Sequence, residues 1–501
     1  MDNNEKPVWQ EEASSLLPIT ILAPAPAARE SSSRSKAWSL AIFLLVCLSG
    51  LLLVFSGAYG RVSKLSIFNS TPEGPYAPGS FYSLVKTQED ICPGENGVDK
   101  VSRSGLFEAQ QDAENAPLIL THGGGPGTSG LFNTVLGQNH CVMRRNGSFE
   151  HNPNAWSEKY NVLVLDHPIG AGFSYGSSPN NSRAAAADVY DFLQKIFVLF
   201  PHLATAKLTL ASGSYGGVYI PHIATEIHTQ NIALADGHGE PGARYINLES
   251  MMVSNPMSDI LSHFRWALDV RCQNPIFNVY NETQCAEGYV HLPECLDALQ
   301  YALDFPSAEV KAEALTTCEK AAPDIDPKRG RMLENVKVEC DGSLDGCVPE
   351  LVQGAKYLND EKTKEMLGVP QWMNWTSVNY TVHHAFYMEG DMVQRAHLLY
   401  GPLVSDGIRL LHYVGALDAN CGWSGIYHFL KYIQTPFQPA FLTASDVQWH
   451  PNATVRAIGD GDGAGNFTWI LMSEAGHLVV RDQPELVKMI LERWIEDLPW
   501  V

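Results

Sequence analysis

The chain has 501 residues, of which 45% are hydrophobic and 18% are charged, so it can bury a large core. Asp and Glu total 55 against 34 Lys and Arg, which gives a formal net charge of −21 at pH 7. This charge repels phosphate backbones and no basic run interrupts it, so we expect no nucleic-acid partner. The composition also excludes collagen-like, coiled-coil and wholly disordered chains.

The first 60 residues predict a cytosolic tail and a membrane anchor. Residues 1–37 are rich in Pro, Ala and Ser without a helical or strand period, which is typical of a disordered tail. Residues 38–60 carry no charge and are long enough to cross the ~30 Å hydrocarbon core of a bilayer as one helix. Arg29, Arg34 and Lys36 precede this run and favour a cytosolic N-terminus. A cleaved signal peptide is the alternative, although the preceding tail is long for one.

Glycosylation motifs and cysteines predict where the rest of the chain lies. Nine of the ten cysteines follow the anchor, and an oxidising compartment would pair eight of them and leave one thiol. We therefore expect a single-pass membrane protein with a lumenal or extracellular body, in the secretory pathway, the vacuole or at the cell surface. The sequence carries no signal for an oligomeric state. All eight Asn-x-Ser/Thr motifs follow the anchor, and they begin at Asn69, Asn146, Asn180, Asn281, Asn374, Asn379, Asn452 and Asn466.

The sequence after the predicted anchor predicts an α/β fold. After a stalk at 61–88, short apolar runs alternate with helical stretches such as 184–200 over a domain at 89–501, which indicates a mostly parallel sheet covered on both faces. Residues 257–385 contain six cysteines and amphipathic helices, so we expect a disulfide-stapled helical insertion there. The apolar runs predicted as strands are 116–122, 160–168, 206–212, 410–418 and 466–477.

Ser214 is the candidate nucleophile. It lies between an apolar strand and a helical stretch, with the small residues Ser212 and Gly216 two positions before and after it. A nucleophile elbow needs such small residues because its tight turn brings their backbones together. Ser212 itself does not fit, because Leu210 stands two positions before it. The strict Gly-x-Ser-x-Gly pattern is missed by one residue, so a plain turn serine is the alternative at this point.

A base and an acid follow in the order that α/β-hydrolases use. Asp418 and His477 end the predicted strands 410–418 and 466–477, C-terminal to Ser214, in the order that a Ser–Asp–His triad requires. The backbone N–H of Tyr215 and the glycine-rich turn 123–127 are candidates for an oxyanion hole. Phosphate-loop, calcium-loop and zinc patterns do not occur, so we expect no metal or cofactor.

Seven motifs resemble the serine carboxypeptidase family, whose type is carboxypeptidase Y. In chain order they are THGGGPGTSG, NPNAWSEKYNVLVLDHPIGAGFSYG, ASGSYGGVYIPHIA, VSNPMSD, EGDMV, YVGALDANCGW and EAGHLVVRDQPE, from about residue 90 to the C-terminus. The resemblance implies an α/β-hydrolase fold with a helical insertion, and makes Cys421 the candidate unpaired thiol. It implies the catalytic residues Ser214, Asp418 and His477 and the oxyanion donors Gly125 and Tyr215.

The chain departs from this family at the substrate's C-terminal carboxylate. The resemblance implies that three polar side chains hold this group, and Gly123, Gly213 and Val135 stand at those positions here. Together with Gly124, the two glycines are expected to line the substrate site with backbone alone. Each lost hydrogen bond to a charged group is worth about 1.5–3 kcal/mol, so exopeptidase recognition should weaken by orders of magnitude. The family's acid-shifted activity depends on two of the missing groups, so we expect a pH profile governed by His477 that rises toward neutrality.

These observations favour a membrane-anchored serine hydrolase that acts on a peptide or acyl-ester substrate through an acyl-enzyme on Ser214. The first alternative is an acyltransferase or esterase that keeps the same triad. The second is a non-catalytic binding protein on the same fold.

Overall fold

The computed structural model describes residues 105–274, 276–323 and 330–500, together with the backbone of the strand Val101–Ser102. The predicted tail, anchor and stalk, and the motif at Asn69, lie outside the described residues. Within the described part, no helix combines the length and the apolar character that a membrane crossing requires.

A ten-stranded sheet forms the centre of the molecule. Its strands are β1 (Val101–Ser102), β2 (Leu106–Phe107), β3 (Leu118–His122), β6 (Asn161–Leu165), β7 (Leu208–Gly213), β8 (Leu248–Ser254), β11 (Arg409–Gly415), β12 (Val447–His450), β13 (Ala453–Ile458) and β14 (Phe467–Met472). Their order across the sheet is β1-β2-β6-β3-β7-β8-β11-β14-β13-β12. The six strands from β6 to β14 in this order run parallel, and the strands outside them are antiparallel. The predicted parallel α/β sheet is therefore confirmed. Two separate hairpins are β4 (Cys141–Met143) with β5 (Phe149–His151) and β9 (Arg331–Met332) with β10 (Asn335–Glu339).

Helices cover both faces of the sheet. Every residue of β3, β6 and β11 is buried, because alternate side chains of these strands enter two different core clusters. The α-helices are α1 (Leu131–Asn133), α2 (Ser182–Leu199), α3 (Gly216–Ala235), α4 (Ile260–Cys272), α5 (Glu282–Asp304), α6 (Ala308–Ala321), α7 (Leu344–Cys347), α8 (Pro349–Leu358), α9 (Glu361–Met366), α10 (Tyr380–Glu389), α11 (Tyr400–Ser405), α12 (Trp423–Leu430), α13 (Gln438–Thr443), α14 (Val479–Asp482) and α15 (Pro484–Ile495). A π-helix at Thr134–Gln138 follows α1, and 3-10 turns lie at Trp156–Glu158, Pro201–Thr205 and Ala396–Leu399. Helices α2 and α3 contribute to one of the two clusters and α15 to the other.

Between β8 and β11 the chain forms helices α4 to α11 and the β9–β10 hairpin. All six cysteines of this region are paired within it, which confirms the expected disulfides. Cys141 is disulfide-bonded as well, and Cys421 is the free cysteine of the described residues, as the resemblance implied. The three pairs are Cys272–Cys285, Cys295–Cys318 and Cys340–Cys347.

The predicted glycosylation sites differ in exposure. Asn379 caps α10, where its side-chain oxygen accepts from the Thr381 N–H at 2.9 Å. Its amide nitrogen, the atom that would carry a glycan, donates to the Gly170 carbonyl at 2.8 Å. We therefore expect Asn379 to be the poorest acceptor of the described sites. Four others are exposed on the surface: Asn146, Asn180, Asn281 and Asn374.

Candidate active site

Ser214 lies in a strained turn at the carboxyl end of β7. Its backbone φ of +60° is in the left-handed region, which residues other than glycine rarely adopt. Hydrogen bonds hold this turn: the Ser214 N–H donates to the Ser254 carbonyl at 3.1 Å, and the Ser214 carbonyl accepts from Met257 N–H at 2.9 Å. A side chain at Gly216 would begin 2.2 Å from the Ser212 hydroxyl. This contact explains why both neighbours are small, and the turn has the geometry of a nucleophile elbow.

His477 and Asp418 follow two other strands and form a hydrogen-bonded pair. Nδ1 of His477 donates to Oδ2 of Asp418 at 2.6 Å, and Asp418 is fully buried. The carboxylate also accepts from the Asn255 amide at 2.8 Å and from the N–H groups of Asn420 and Cys421 at 2.7 and 3.1 Å. These bonds place the proton of the neutral imidazole on Nδ1, which leaves Nε2 able to accept one.

Cys421 connects the serine to this pair. Burial raises the pKa of the Cys421 thiol, and an interaction with the Ser214 side chain partly opposes this effect, so the sulfur lies beside the serine. The same sulfur, a carboxylate oxygen of Asp418 and a ring nitrogen of His477 lie within 4.8 Å of one another. The structure thus brings the three predicted triad residues into one site. Among the described residues, Asp418, Cys421 and His477 are also the one cluster with metal-ligand spacing, but the Asp418–His477 hydrogen bond already uses atoms of two of them.

The glycine-rich turn after β3 packs directly against the elbow. A side chain at Gly124 would begin 2.8 Å from Cβ of Ser214 and 2.9 Å from the nitrogen of Tyr215. Gly125 has a φ of +106°, which also favours glycine. Within the described ranges, the N–H groups of Gly125 and Tyr215 donate no hydrogen bond. Two unpaired N–H groups beside a serine are what an oxyanion hole needs.

The electrostatics of the site are dominated by carboxyl groups around His477. Burial alone would lower the pKa of His477, but Asp418, with further contributions from Glu334 and Asp482, raises it above the ordinary value. Burial raises the pKa of Glu334, and the nearby imidazole partly opposes this effect. Burial likewise raises the pKa of Asp482, against the hydrogen bond that its carboxylate accepts from Gly476 N–H at 2.8 Å.

Glu334 is a residue of this site that the sequence did not single out. It lies in the turn between β9 and β10, and its carbonyl accepts a hydrogen bond from the His477 N–H at 2.6 Å. The segment RMLENVKVE has the composition of an ordinary surface hairpin, so no local signal marks it. The region between β8 and β11 therefore contributes directly to the surroundings of His477.

The pH dependence of activity is expected to follow His477. Only the neutral imidazole accepts the proton of Ser214, so activity should rise with pH through an apparent pKa above the ordinary 6.5. Glu334→Gln removes a charge that raises this pKa, so the rising limb should move to lower pH in a profile of kcat/KM. Glu339→Gln, at an exposed position of the same hairpin, is the matched control and should leave the limb in place. An optimum near about pH 4–5 in the wild type would contradict this expectation.

Comparison with known proteins identifies the family. The family model described as serine carboxypeptidase matches residues 105–497. The chain belongs to the serine carboxypeptidase family. It is 30% identical over 429 residues to carboxypeptidase Y homolog A of Sclerotinia sclerotiorum, a match covering 81% of this chain and 75% of that protein. It is also 30% identical over 393 residues to carboxypeptidase Y of Komagataella phaffii, covering 78% of this chain and 72% of the relative.

The fold of this member of the serine carboxypeptidase family is shared with a solved structure. Kex1(delta)p, a prohormone-processing carboxypeptidase of Saccharomyces cerevisiae, superposes with a TM-score of 0.62 at 17% identity, over 83% of this chain and 95% of the other. At this identity the likeness shows the fold alone, and it confirms the α/β-hydrolase architecture.

The three positions at which the resemblance implies carboxylate-binding side chains are closely packed. A side chain at Gly123 would begin 2.2 Å from the Thr128 carbonyl oxygen, and one at Gly213 would begin 2.5 Å from the Ser254 hydroxyl. Val135 is buried in a core cluster, where Gly354 of α8 packs against it. The two glycines thus border the elbow with backbone only, and Val135 presents its side chain to α8.

Proposed function

We propose that this serine carboxypeptidase-like hydrolase acts through an acyl-enzyme on Ser214. Nε2 of His477 takes the hydroxyl proton of Ser214 as its oxygen attacks the acyl carbonyl, and the N–H groups of Gly125 and Tyr215 hold the resulting oxyanion. His477 then gives the proton to the leaving group, and water completes the cycle. The observation that carries the proposal is the 2.6 Å His477–Asp418 hydrogen bond beside the Ser214 elbow.

We further propose that residues 38–60 anchor the enzyme in a membrane, with its catalytic body in a lumenal or extracellular compartment. The uncharged run at 38–60 and the preceding basic residues support the anchor and its orientation. The disulfides between β8 and β11 support an oxidising compartment.

Recognition of a free C-terminal carboxylate is proposed to be lost. The Thr128 carbonyl leaves no room for the first carbon of a side chain at Gly123, so Asn there would require backbone movement, and Glu at Gly213 would require the Ser254 hydroxyl to move. A substrate carboxylate without hydrogen-bond partners would lose its solvation on binding. We therefore expect substrates whose leaving group is neutral, which keeps an esterase or acyltransferase as the second candidate function.

Three substrates that differ only in their C-terminal group test this proposal. The full chain in detergent, and its Ser214→Ala variant, are offered one blocked dipeptide as free acid, amide and ester. The same peptide bond breaks in the free acid and the amide, so their ratio isolates carboxylate recognition. We expect the amide to be cleaved faster by about 100-fold or more, since even two of the three lost hydrogen bonds to a charge are worth about 3–6 kcal/mol.

The outcomes separate the parts of the proposal. If the free acid is cleaved as fast as the amide and Ser214→Ala abolishes this activity, the proposed loss of carboxylate recognition is wrong and the proposed acyl-enzyme on Ser214 is supported. Activity that survives in Ser214→Ala would contradict the acyl-enzyme itself. A wild type that turns over none of the three and does not react with a fluorophosphonate probe would favour the binding-protein alternative.

A further inference from the structure

The side chain of Tyr215 ends in a buried hydrogen bond that triad chemistry does not use. Its hydroxyl donates to Oδ2 of Asp391 at 2.7 Å, and the Ser182 hydroxyl donates to the same oxygen at 2.5 Å. All three residues are buried. They come from the elbow, from the segment after α10 and from the start of α2.

Asp391 is an isolated buried carboxylate. Among residues 105–274, 276–323 and 330–500, no Lys, Arg or His forms an ion pair with it, and hydroxyl groups are its side-chain donors. A buried charge without a cationic partner is costly, and its hydrogen bonds are strong because the acceptor is charged. The carboxylate therefore binds the Tyr215 hydroxyl tightly.

This bond fixes the residue whose N–H borders the nucleophile. The Tyr215 ring packs edge-on against Tyr219, with centroids 5.0 Å apart, and against Phe386 at 6.3 Å. The ring contacts with Tyr219 and Phe386 and the hydroxyl bond to Asp391 together hold the Tyr215 side chain in place. Ser214, its neighbour, is held at a strained φ of +60°, a conformation that persists only where the surroundings enforce it.

The position of the Tyr215 N–H determines how well an oxyanion is held. Such a donor must lie about 2.7–3.1 Å from the developing charge, and a displacement of about 1 Å costs about 100-fold in rate. A change in the backbone dihedral angles of Tyr215 would move this N–H and also displace the side chain. The hydrogen bond from the Tyr215 hydroxyl to Asp391 opposes that displacement.

We propose that Asp391 is a positioning residue of the oxyanion hole, acting through the Tyr215 hydroxyl on the Tyr215 N–H. This inference rests on the proposed acyl-enzyme function. It assigns a role to the EGDMV motif, which the triad leaves unexplained. What the position requires is a hydrogen-bond acceptor for the Tyr215 hydroxyl, so an amide oxygen should substitute for the carboxylate better than a methyl group.

The test measures the rate at which a fluorophosphonate labels Ser214 in the full chain, and kcat and KM for a blocked dipeptide ester. Tyr215→Phe and Asp391→Ala should each slow labelling and lower kcat by about 10- to 100-fold, with KM changed less than about threefold. The double variant should be no more than about threefold below either single variant, because both remove one interaction. Asp391→Asn should recover most of the rate.

Tyr400→Phe is the matched control. It removes another buried tyrosine hydroxyl, one that donates to the Gly217 carbonyl of α3 at 3.3 Å and does not contact Asp391. We expect a lower Tm with labelling within about twofold of the wild type. If Tyr215→Phe lowers only Tm, or Tyr400→Phe slows labelling equally, the positioning role is wrong. Equal labelling of the wild type and Ser214→Ala would instead overturn the acyl-enzyme function.

Discussion

Ser214→Ala is expected to lower turnover of a blocked dipeptide ester by about 10⁵- to 10⁶-fold while the chain remains folded. The substitution removes the oxygen that attacks the acyl carbonyl, and the His477–Asp418 pair then has no hydroxyl to activate. Alanine also keeps the small volume that the elbow requires. Initial rates with excess enzyme, and thermal melting of both forms, measure the two effects separately.

Ser212→Ala is the control for this result. Ser212 lies only two residues earlier, but its hydroxyl donates to the His122 carbonyl at 2.9 Å and serves the packing of the turn. We expect activity within about threefold of the wild type and a loss of about 1 kcal/mol in the free energy of unfolding. Turnover that depends on Ser212 and survives in Ser214→Ala would show that the elbow serine has been misassigned.

Asp418→Asn is expected to lower kcat at neutral pH by about 10⁴-fold. The carboxylate accepts hydrogen bonds from the Asn255 amide, two backbone N–H groups and Nδ1 of His477. An asparagine amide would turn its own N–H₂ toward some of these donors, so His477 would lose the partner that fixes its proton on Nδ1. The pKa of His477 should also fall, because the Asp418 carboxylate is the main group that raises it.

A second histidine–aspartate pair provides the comparison. Oδ2 of Asp406 lies 2.8 Å from Nε2 of His228 at the surface, where the Asp406 side chain is 56% exposed. Asp406→Asn makes the same chemical change away from the elbow, and we expect kcat within about twofold of the wild type. A loss of less than about tenfold in Asp418→Asn would contradict the assigned role.

The central sheet could be predicted from the sequence because its strands are buried on both faces. The apolar runs 116–122, 160–168 and 206–212 correspond to β3, β6 and β7 within two or three residues at each end. Continuous apolar residues are a local signal, so no knowledge of distant partners was needed. Ser214, Asp418 and His477 could be singled out as candidates for a related reason, since each lies at or just beyond the end of such a run.

Features that depend on distant partners could not be predicted. Eight cysteines allow 105 pairings, and only the folded chain shows which sulfur atoms meet. Glu334 lies in a hairpin without apolar periodicity, and the EGDMV motif around Asp391 does not show that its carboxylate meets the Tyr215 hydroxyl. The packing around Gly123 and Gly213 depends on Thr128 and Ser254, whose positions the sequence does not reveal.

The buried thiol of Cys421 has a consequence for the covalent integrity of the enzyme. Burial, reinforced by the Asp418 charge, raises the pKa of Cys421 well above its ordinary value and keeps the sulfur protonated. Disulfide exchange proceeds through a thiolate that can reach another sulfur, and Cys421 is neither ionised nor exposed. In an oxidising lumen, the unpaired cysteine therefore cannot scramble the Cys272–Cys285, Cys295–Cys318 and Cys340–Cys347 bridges of its own chain.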